Sequence, residues 1–134
     1  MEDIHIKGVH EAYFMPTVNF EVATGNCEIS GESYLEETTK FYAPLLNWIR
    51  DYIDTVRGPL KFDIKLSYFN TSSSKCLVDI LDMLKTYQKK GGQVTVNWYY
   101  EDSDEELEEV EDFILETGLQ INKIPMEWKK IFII

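Results

Sequence analysis

Six consecutive residues, Asn70-Thr71-Ser72-Ser73-Ser74-Lys75, hold the densest group of chemically usable side chains in the sequence. Four hydroxyls follow an asparagine and precede a lysine. They sit where one periodic pattern stops and another begins. Thr, Ser and Asn are favoured helix N-caps, because their oxygens accept hydrogen bonds from the N–H groups that a first turn leaves unpaired. A cap uses one such oxygen, so three further hydroxyls are left to explain. A helix N-terminus also favours anions, including a phosphate attached to one of these oxygens, with Lys75 as a nearby counter-charge.

Other residue types that commonly do chemistry lack a supporting pattern. His5 and His10 are five apart, a spacing that places them together on neither a strand face nor a helix face, and they read as solvated or packing residues. Cys27 and Cys76 have no C-x-x-C spacing and read as small buried hydrophobes. The acidic run 101–109 contains Asp102, Asp104 and Glu106 in alternation, but Leu107 stands where a calcium loop needs glycine and Phe113 where it needs its bidentate glutamate. Ser103 and Glu106 instead have capping-box spacing, and the carboxylates suit the positive end of a helix. No metal site, no cofactor motif and no catalytic motif such as G-x-S-x-G, a P-loop or H-E-x-x-H is present, so the chain reads as non-enzymatic.

The elements that position the hydroxyl run follow from periodicity. Phe62, Ile64, Leu66 and Tyr68 alternate with polar neighbours as in a half-buried strand. Leu77, Ile80, Leu81, Leu84 and Tyr87 recur at helical steps, and Gly91-Gly92 ends that helix. Upstream, strands are expected over 4–7, 17–22 and 27–30, the last two forming a hairpin about Gly25. A first helix is expected to start between Ser33 and Glu37, with Ser33 and Glu36 as a capping box. It runs to about Val56, with Phe41, Leu45, Ile49, Tyr52, Ile53 and Val56 facing inward and a kink or restart at Pro44. Tyr42, Trp48 and Tyr52 read as core or groove aromatics. A strand over 93–100, a helix over 104–117 and a strand over 119–124 complete the pattern, and 125–134 reads as a last strand or an apolar tail. The implied fold is α/β: one domain over 1–134, with a mixed sheet, an N-terminal antiparallel hairpin, βαβαβ crossovers and helices mainly on one face. The acidic start of the 104–117 helix, following a strand end, is expected near Thr71.

Composition narrows the functional classes. With 134 residues the chain is long enough for one unstapled core. No apolar run approaches the roughly 18 residues of a membrane span, and a cytoplasmic location is expected. Thirteen Lys plus Arg against 24 Asp plus Glu give a net charge of −11, which argues against nucleic acid and anionic membranes as partners.

Several blocks resemble the SiaC family of regulatory phosphoproteins, whose fold is similar to STAS-type anti-sigma-factor antagonists. They are Pro16-Thr17-Val18-Asn19-Phe20, Ile29-Ser30-Gly31-Glu32-Ser33-Tyr34, Phe41-Tyr42-Ala43-Pro44-Leu45-Leu46-Asn47-Trp48, Tyr68-Phe69-Asn70-Thr71-Ser72-Ser73-Ser74-Lys75 and Trp98-Tyr99-Tyr100-Glu101. The resemblance implies that Thr71 is phosphorylated by a dedicated Ser/Thr protein kinase and dephosphorylated by a PP2C-like phosphatase. It further implies that the unmodified form binds and activates a diguanylate cyclase, and so acts in cyclic-di-GMP signalling and biofilm control. Tyr68, Asn70, Thr71, Ser72, Ser73, Lys75, Tyr99 and Tyr100 are the expected partner-binding residues. Spacing alone does not rank Thr71 above Ser72, Ser73 or Ser74. The alternative is a constitutive adaptor or small-ligand module using the 68–75 turn.

Overall fold

The computed structural model describes residues 1–10, 14–101 and 103–127, with His10 described by its backbone alone. Asp102 and the 128–134 part of the C-terminal segment therefore lie outside the described residues. The elements in order are β1 (Ile4–Ile6), β2 (Val9–His10), β3 (Phe14–Met15), β4 (Thr17–Phe20), β5 (Asn26–Ser33), α1 (Thr38–Asp51), a π-helical extension (Tyr52–Val56), β6 (Leu60–Phe69), α2 (Thr71–Lys89), β7 (Val94–Glu101), α3 (Asp104–Thr117) and β8 (Asn122–Met126).

Six strands form one mixed sheet in the order β1-β4-β5-β6-β7-β8, with β2 and β3 as a separate small hairpin. β1, β4 and β5 are antiparallel neighbours at one edge, and β5 to β8 run parallel. This is the expected arrangement of an edge hairpin followed by crossovers, each carrying one helix. The small β2–β3 hairpin was not anticipated, because two-residue strands carry no periodicity to read.

The core lies between one sheet face and the three helices. Val18, Phe20, Ile29, Phe62, Ile64, Val96 and Trp98 point into it and are almost fully buried. Phe20 packs on Trp48 of α1 and on Phe62, while Trp98 stacks on Phe113 of α3 with centroids 4.7 Å apart. α2 lies between, supplying Leu77, Ile80, Leu81, Leu84 and Tyr87 as its period predicts. Among the described residues, the opposite sheet face carries no helix. It is lined by part-buried and exposed polar residues joined across strands: Lys65 to Glu28, and Asn122 to Asn97 to Asp63. Parallel strands with one face free alternate in the way antiparallel ones do, which is why β6 reads as half-buried.

The last strand, expected over 119–124, is found at Asn122–Met126, and three other expectations change. Helix α1 begins at Thr38, and Ser33 is the last residue of β5, so the Ser33–Glu36 capping box does not form. The helix also passes through Pro44 without a restart. Pro44 is exposed, so the carbonyl that its ring deprives of a partner faces water. The irregularity comes later, at the π-turn 52–56. Its wider winding keeps Tyr52 buried but swings Val56 out to 42 % exposure. Finally, Tyr68 leaves the alternation of β6. Gly31 pairs with Leu66 but Glu32 pairs with Tyr68, so Ser67 is skipped. This bulge reverses the phase: Tyr68 is 50 % exposed, and Phe69 turns inward against Trp98 and Phe113.

Candidate functional site

The hydroxyl run occupies the first turn of α2, directly beyond the C-terminal end of β6. Asn70 is the N-cap, its side chain accepting from the Ser73 N–H at 3.0 Å. Thr71 to Ser74 then occupy the first helical positions, and their exposure differs sharply. Ser73 is fully buried, Ser74 is half-buried, and Thr71 and Ser72 are exposed.

Ser73 belongs to a closed chain of donors and acceptors. Its Oγ is 2.7 Å from Ser33 Oγ, which is 2.8 Å from the Tyr42 hydroxyl, and Ser73 donates to the Ser33 carbonyl at 3.1 Å. One proton per hydroxyl satisfies the set if Tyr42 donates to Ser33, Ser33 to Ser73, and Ser73 to the carbonyl. Burial pushes the Tyr42 phenol up to about 12, against the lowering effect of its Ser33 hydrogen bond, so it stays protonated at neutral pH. Together these bonds fix β5, α1 and α2 to one another below the surface.

A second, outer link joins the same helices. Ser72 Oγ lies 2.7 Å from Thr38 Oγ1, and Thr38 donates to the Leu35 carbonyl at 3.1 Å. The Leu35 carbonyl also accepts weakly from Asn70 Nδ2, at 3.4 Å. Thr71 differs from both serines: among the described residues, no side chain bonds its hydroxyl. Lys75, one turn further along α2, is exposed and without an ion-pair partner among the described residues.

Beside this turn the surface is aromatic. Tyr34 and Tyr68 are 49 % and 50 % exposed, with ring centroids 6.0 Å apart. An open groove of about 350 Å³ runs alongside, lined among the described residues by Met15, Leu35, Glu36, Glu37, Lys40 and Phe41. On the other side, Glu106 and Glu109 of α3 share a cleft of about 80 Å³ with Tyr68, Phe69 and Tyr100. The acidic helix start thus adjoins the residues that lead into Thr71, though Thr71 does not line the cleft. Burial first, then the Glu105 and Asp112 carboxylates, raise the Glu109 pKa.

Five of the eight anticipated contact residues, Tyr68, Asn70, Thr71, Ser72 and Lys75, are gathered at this turn with at least part of each side chain accessible. The other three are not on this accessible surface. Ser73 is sealed inside and Tyr100 is 8 % exposed on the core face, so both support the surface from within rather than forming it. Tyr99 lies on the helix-free face, beneath Lys65 at 4.9 Å from the ring centroid. Sequence reasoning missed Ser33, Thr38, Tyr42 and Tyr34 as parts of the site. Ser33 left a signal: it falls on the inward phase of Cys27, Ile29 and Gly31, and a hydroxyl on that phase needs a buried partner. The two cysteines are buried as expected, and His5 is solvated, bonded to Asn19 at 2.8 Å.

Comparison with known proteins places this geometry. The profile described as SiaC family regulatory phosphoprotein matches residues 9–126. An uncharacterised protein of Pseudomonas aeruginosa is 30% identical over 110 residues, covering 82% of this chain and 85% of its own. The apo-SiaC crystal structure from Pseudomonas aeruginosa superposes with a TM-score of 0.82 at 27% identity, over 92% of this chain and 99% of that one. SiaC in complex with the diguanylate cyclase SiaD, for which it is the activator, gives a TM-score of 0.83 at 27% identity, over 92% of this chain and 100% of SiaC. With its sheet order, helix layer and hydroxyl-bearing turn all in place, the chain belongs to the SiaC family of regulatory phosphoproteins.

Proposed function

We propose that this chain is a phosphorylation-gated activator of a diguanylate cyclase. A Ser/Thr protein kinase modifies Thr71, a PP2C-like phosphatase reverses it, and the unmodified form docks on the cyclase through the surface around Thr71, Tyr68 and Tyr34. The observation that carries this reading is Thr71 itself, exposed at the start of α2 with its hydroxyl bonded to no side chain among the described residues, while Ser72 and Ser73 are tied to other elements. Support for the effector class comes from the SiaC relative solved with its cyclase.

The energetics favour interference at an interface over a change of fold. A phosphate adds roughly −1.5 to −2 charges, and its attraction to a helix N-terminus is worth about 0.3 to 2 kcal/mol, too little to rearrange a packed domain. Burying that anion unpaired in a protein contact costs on the order of 2 to 5 kcal/mol, which is about thirty-fold to several-thousand-fold in affinity. The neighbouring Glu106 and Glu109 add to the local negative potential. The chain acts by binding and not by turnover, in the cytoplasm where ATP is at hand. Among the described residues, no helix is long and apolar enough to cross a membrane.

Calorimetric titration of the cyclase with unmodified and phosphorylated protein tests the proposal. Thr71→Ala abolishes kinase labelling and keeps cyclase binding, whereas Thr71→Asp and the phosphoprotein bind at least about thirty-fold more weakly. Equal affinity of the two forms for the cyclase defeats it.

A further inference from the structure

We infer that Ser72 is a second phosphoryl acceptor held latent by Thr38, and that the Thr38 hydroxyl is what confines modification of this turn to its neighbour, Thr71. This deepens the switch reading above and rests on it. Exposure alone does not separate the two residues, since both side chains are exposed. Hydrogen bonding does. Phosphoryl transfer forms a bond from the acceptor oxygen to the γ-phosphorus of ATP and breaks the bond to the leaving ADP, and the hydroxyl proton passes to a base on the kinase. An acceptor must therefore present both a lone pair in line with the phosphorus and a proton to that base.

Ser72 withholds the proton. Its Oγ is 2.7 Å from Thr38 Oγ1, and because Thr38 has its own proton on the Leu35 carbonyl at 3.1 Å, the proton between the two hydroxyls is Ser72's. The alternative outlet for that proton, Asn70 Oδ1 at 3.3 Å, also lies within the turn. Thr38 is 4 % exposed and occupies the first position of α1, so packing holds its hydroxyl in place. Ser73 needs no such guard, being sealed from solvent with both proton and lone pair engaged. Thr71 alone of these three combines exposure with a hydroxyl that no side chain bonds among the described residues.

The test uses the full chain, MgATP and a Ser/Thr kinase that labels the wild-type protein, with each phosphosite quantified by fragment mass spectrometry. Thr38→Val removes the acceptor with little change of shape, Thr38→Ala is the second variant lacking it, and Thr38→Ser restores it. Circular dichroism and the melting curve confirm that each variant is folded. Loss of one hydroxyl hydrogen bond corresponds to about two- to tenfold in availability. The expected result is a rise of about fivefold in the Ser72-to-Thr71 label ratio in Thr38→Val or Thr38→Ala, and a wild-type ratio in Thr38→Ser. In a Thr71→Ala background, label at Ser72 is about fivefold higher when the Thr38 hydroxyl is also removed. Folded Thr38→Val or Thr38→Ala protein labelled at Thr71 alone, in the wild-type ratio, overturns the clamp and leaves the switch intact. Wild-type label that maps to Ser72 or Ser74 and not to Thr71 overturns both.

Discussion

The two ends of the parallel sheet are tied by the same residue type in different ways. At the end remote from Thr71, Tyr52 donates to the Pro59 carbonyl at 2.7 Å and Tyr87 to the Gly58 carbonyl at 2.6 Å. The β4–β5 turn presses on this region so closely that a Cβ at Gly25 would lie 1.8 Å from the Pro59 oxygen. At the Thr71 end, Tyr42 bonds a serine hydroxyl, which bonds another, and a threonine bonds a third. Backbone carbonyls are fixed by the fold and can do nothing but accept. Hydroxyls both donate and accept, can exchange partners, and can be esterified. The first end is built to stay as it is, and the second has the chemistry of something that changes.

The sharpest way to break this comparison is Gly25→Ala. Residue 25 has φ +74°, and the added methyl would meet backbone, so a loss of roughly 3 to 5 kcal/mol is expected in urea unfolding. Cyclase affinity per folded molecule should not change. Next is alkaline pH. Tyr42 ionises near pH 10 in the unfolded chain but at about 12 in the folded one. Its contribution is therefore complete below pH 10 and is lost between pH 10 and 12, a fall of roughly 2 to 3 kcal/mol that Tyr42→Phe should subtract from the alkaline loss, to which Cys27, Cys76 and Tyr52, also pushed up by burial, contribute as well. Ser33→Ala leaves Ser73 and Tyr42 each short of a buried partner and should cost about 1 to 3 kcal/mol in the same unfolding assay. Smallest in stability is the Tyr34→Ala, Tyr68→Ala pair. These exposed rings should alter unfolding by no more than about 0.5 kcal/mol, yet weaken cyclase binding about tenfold. Stability loss without binding loss there would place the docking surface elsewhere.

Much of this architecture is legible from periodicity. The α2 stripe from Leu77 to Tyr87, the acidic start of α3 with its Ser103 cap, and the parallel crossovers follow from local patterns that tertiary contacts reinforce. The Thr71 turn is legible as well, because hydroxyls in excess of capping need stand out. The sequence does not disclose partners that meet only in space. Ser33 and Ser73 are forty residues apart and Thr38 and Ser72 thirty-four, and nothing local marks Thr38 as the neighbour of Ser72. Ser33 reads as a helix start because serine followed three residues later by glutamate fits a cap, but burial at a strand end outweighs that preference. The π-turn after Asp51 is invisible for another reason: it coincides with Tyr52 reaching the Pro59 carbonyl in the loop that leads into β6, a contact no local pattern announces.

The skipped Ser67 has a consequence for how such proteins can diverge. A strand has only two sides, so one supernumerary residue acts on parity: it decides which of two adjacent rings meets the outside world. One residue added to β5 between Gly31 and Glu32, opposite Ser67, would restore strict alternation and send Tyr68 toward the helices and Phe69 to water, leaving the amino-acid inventory of β6 untouched while erasing what a visiting protein could recognise. Length at that single point, more than the identity of its residues, sets whether this end of the molecule is readable.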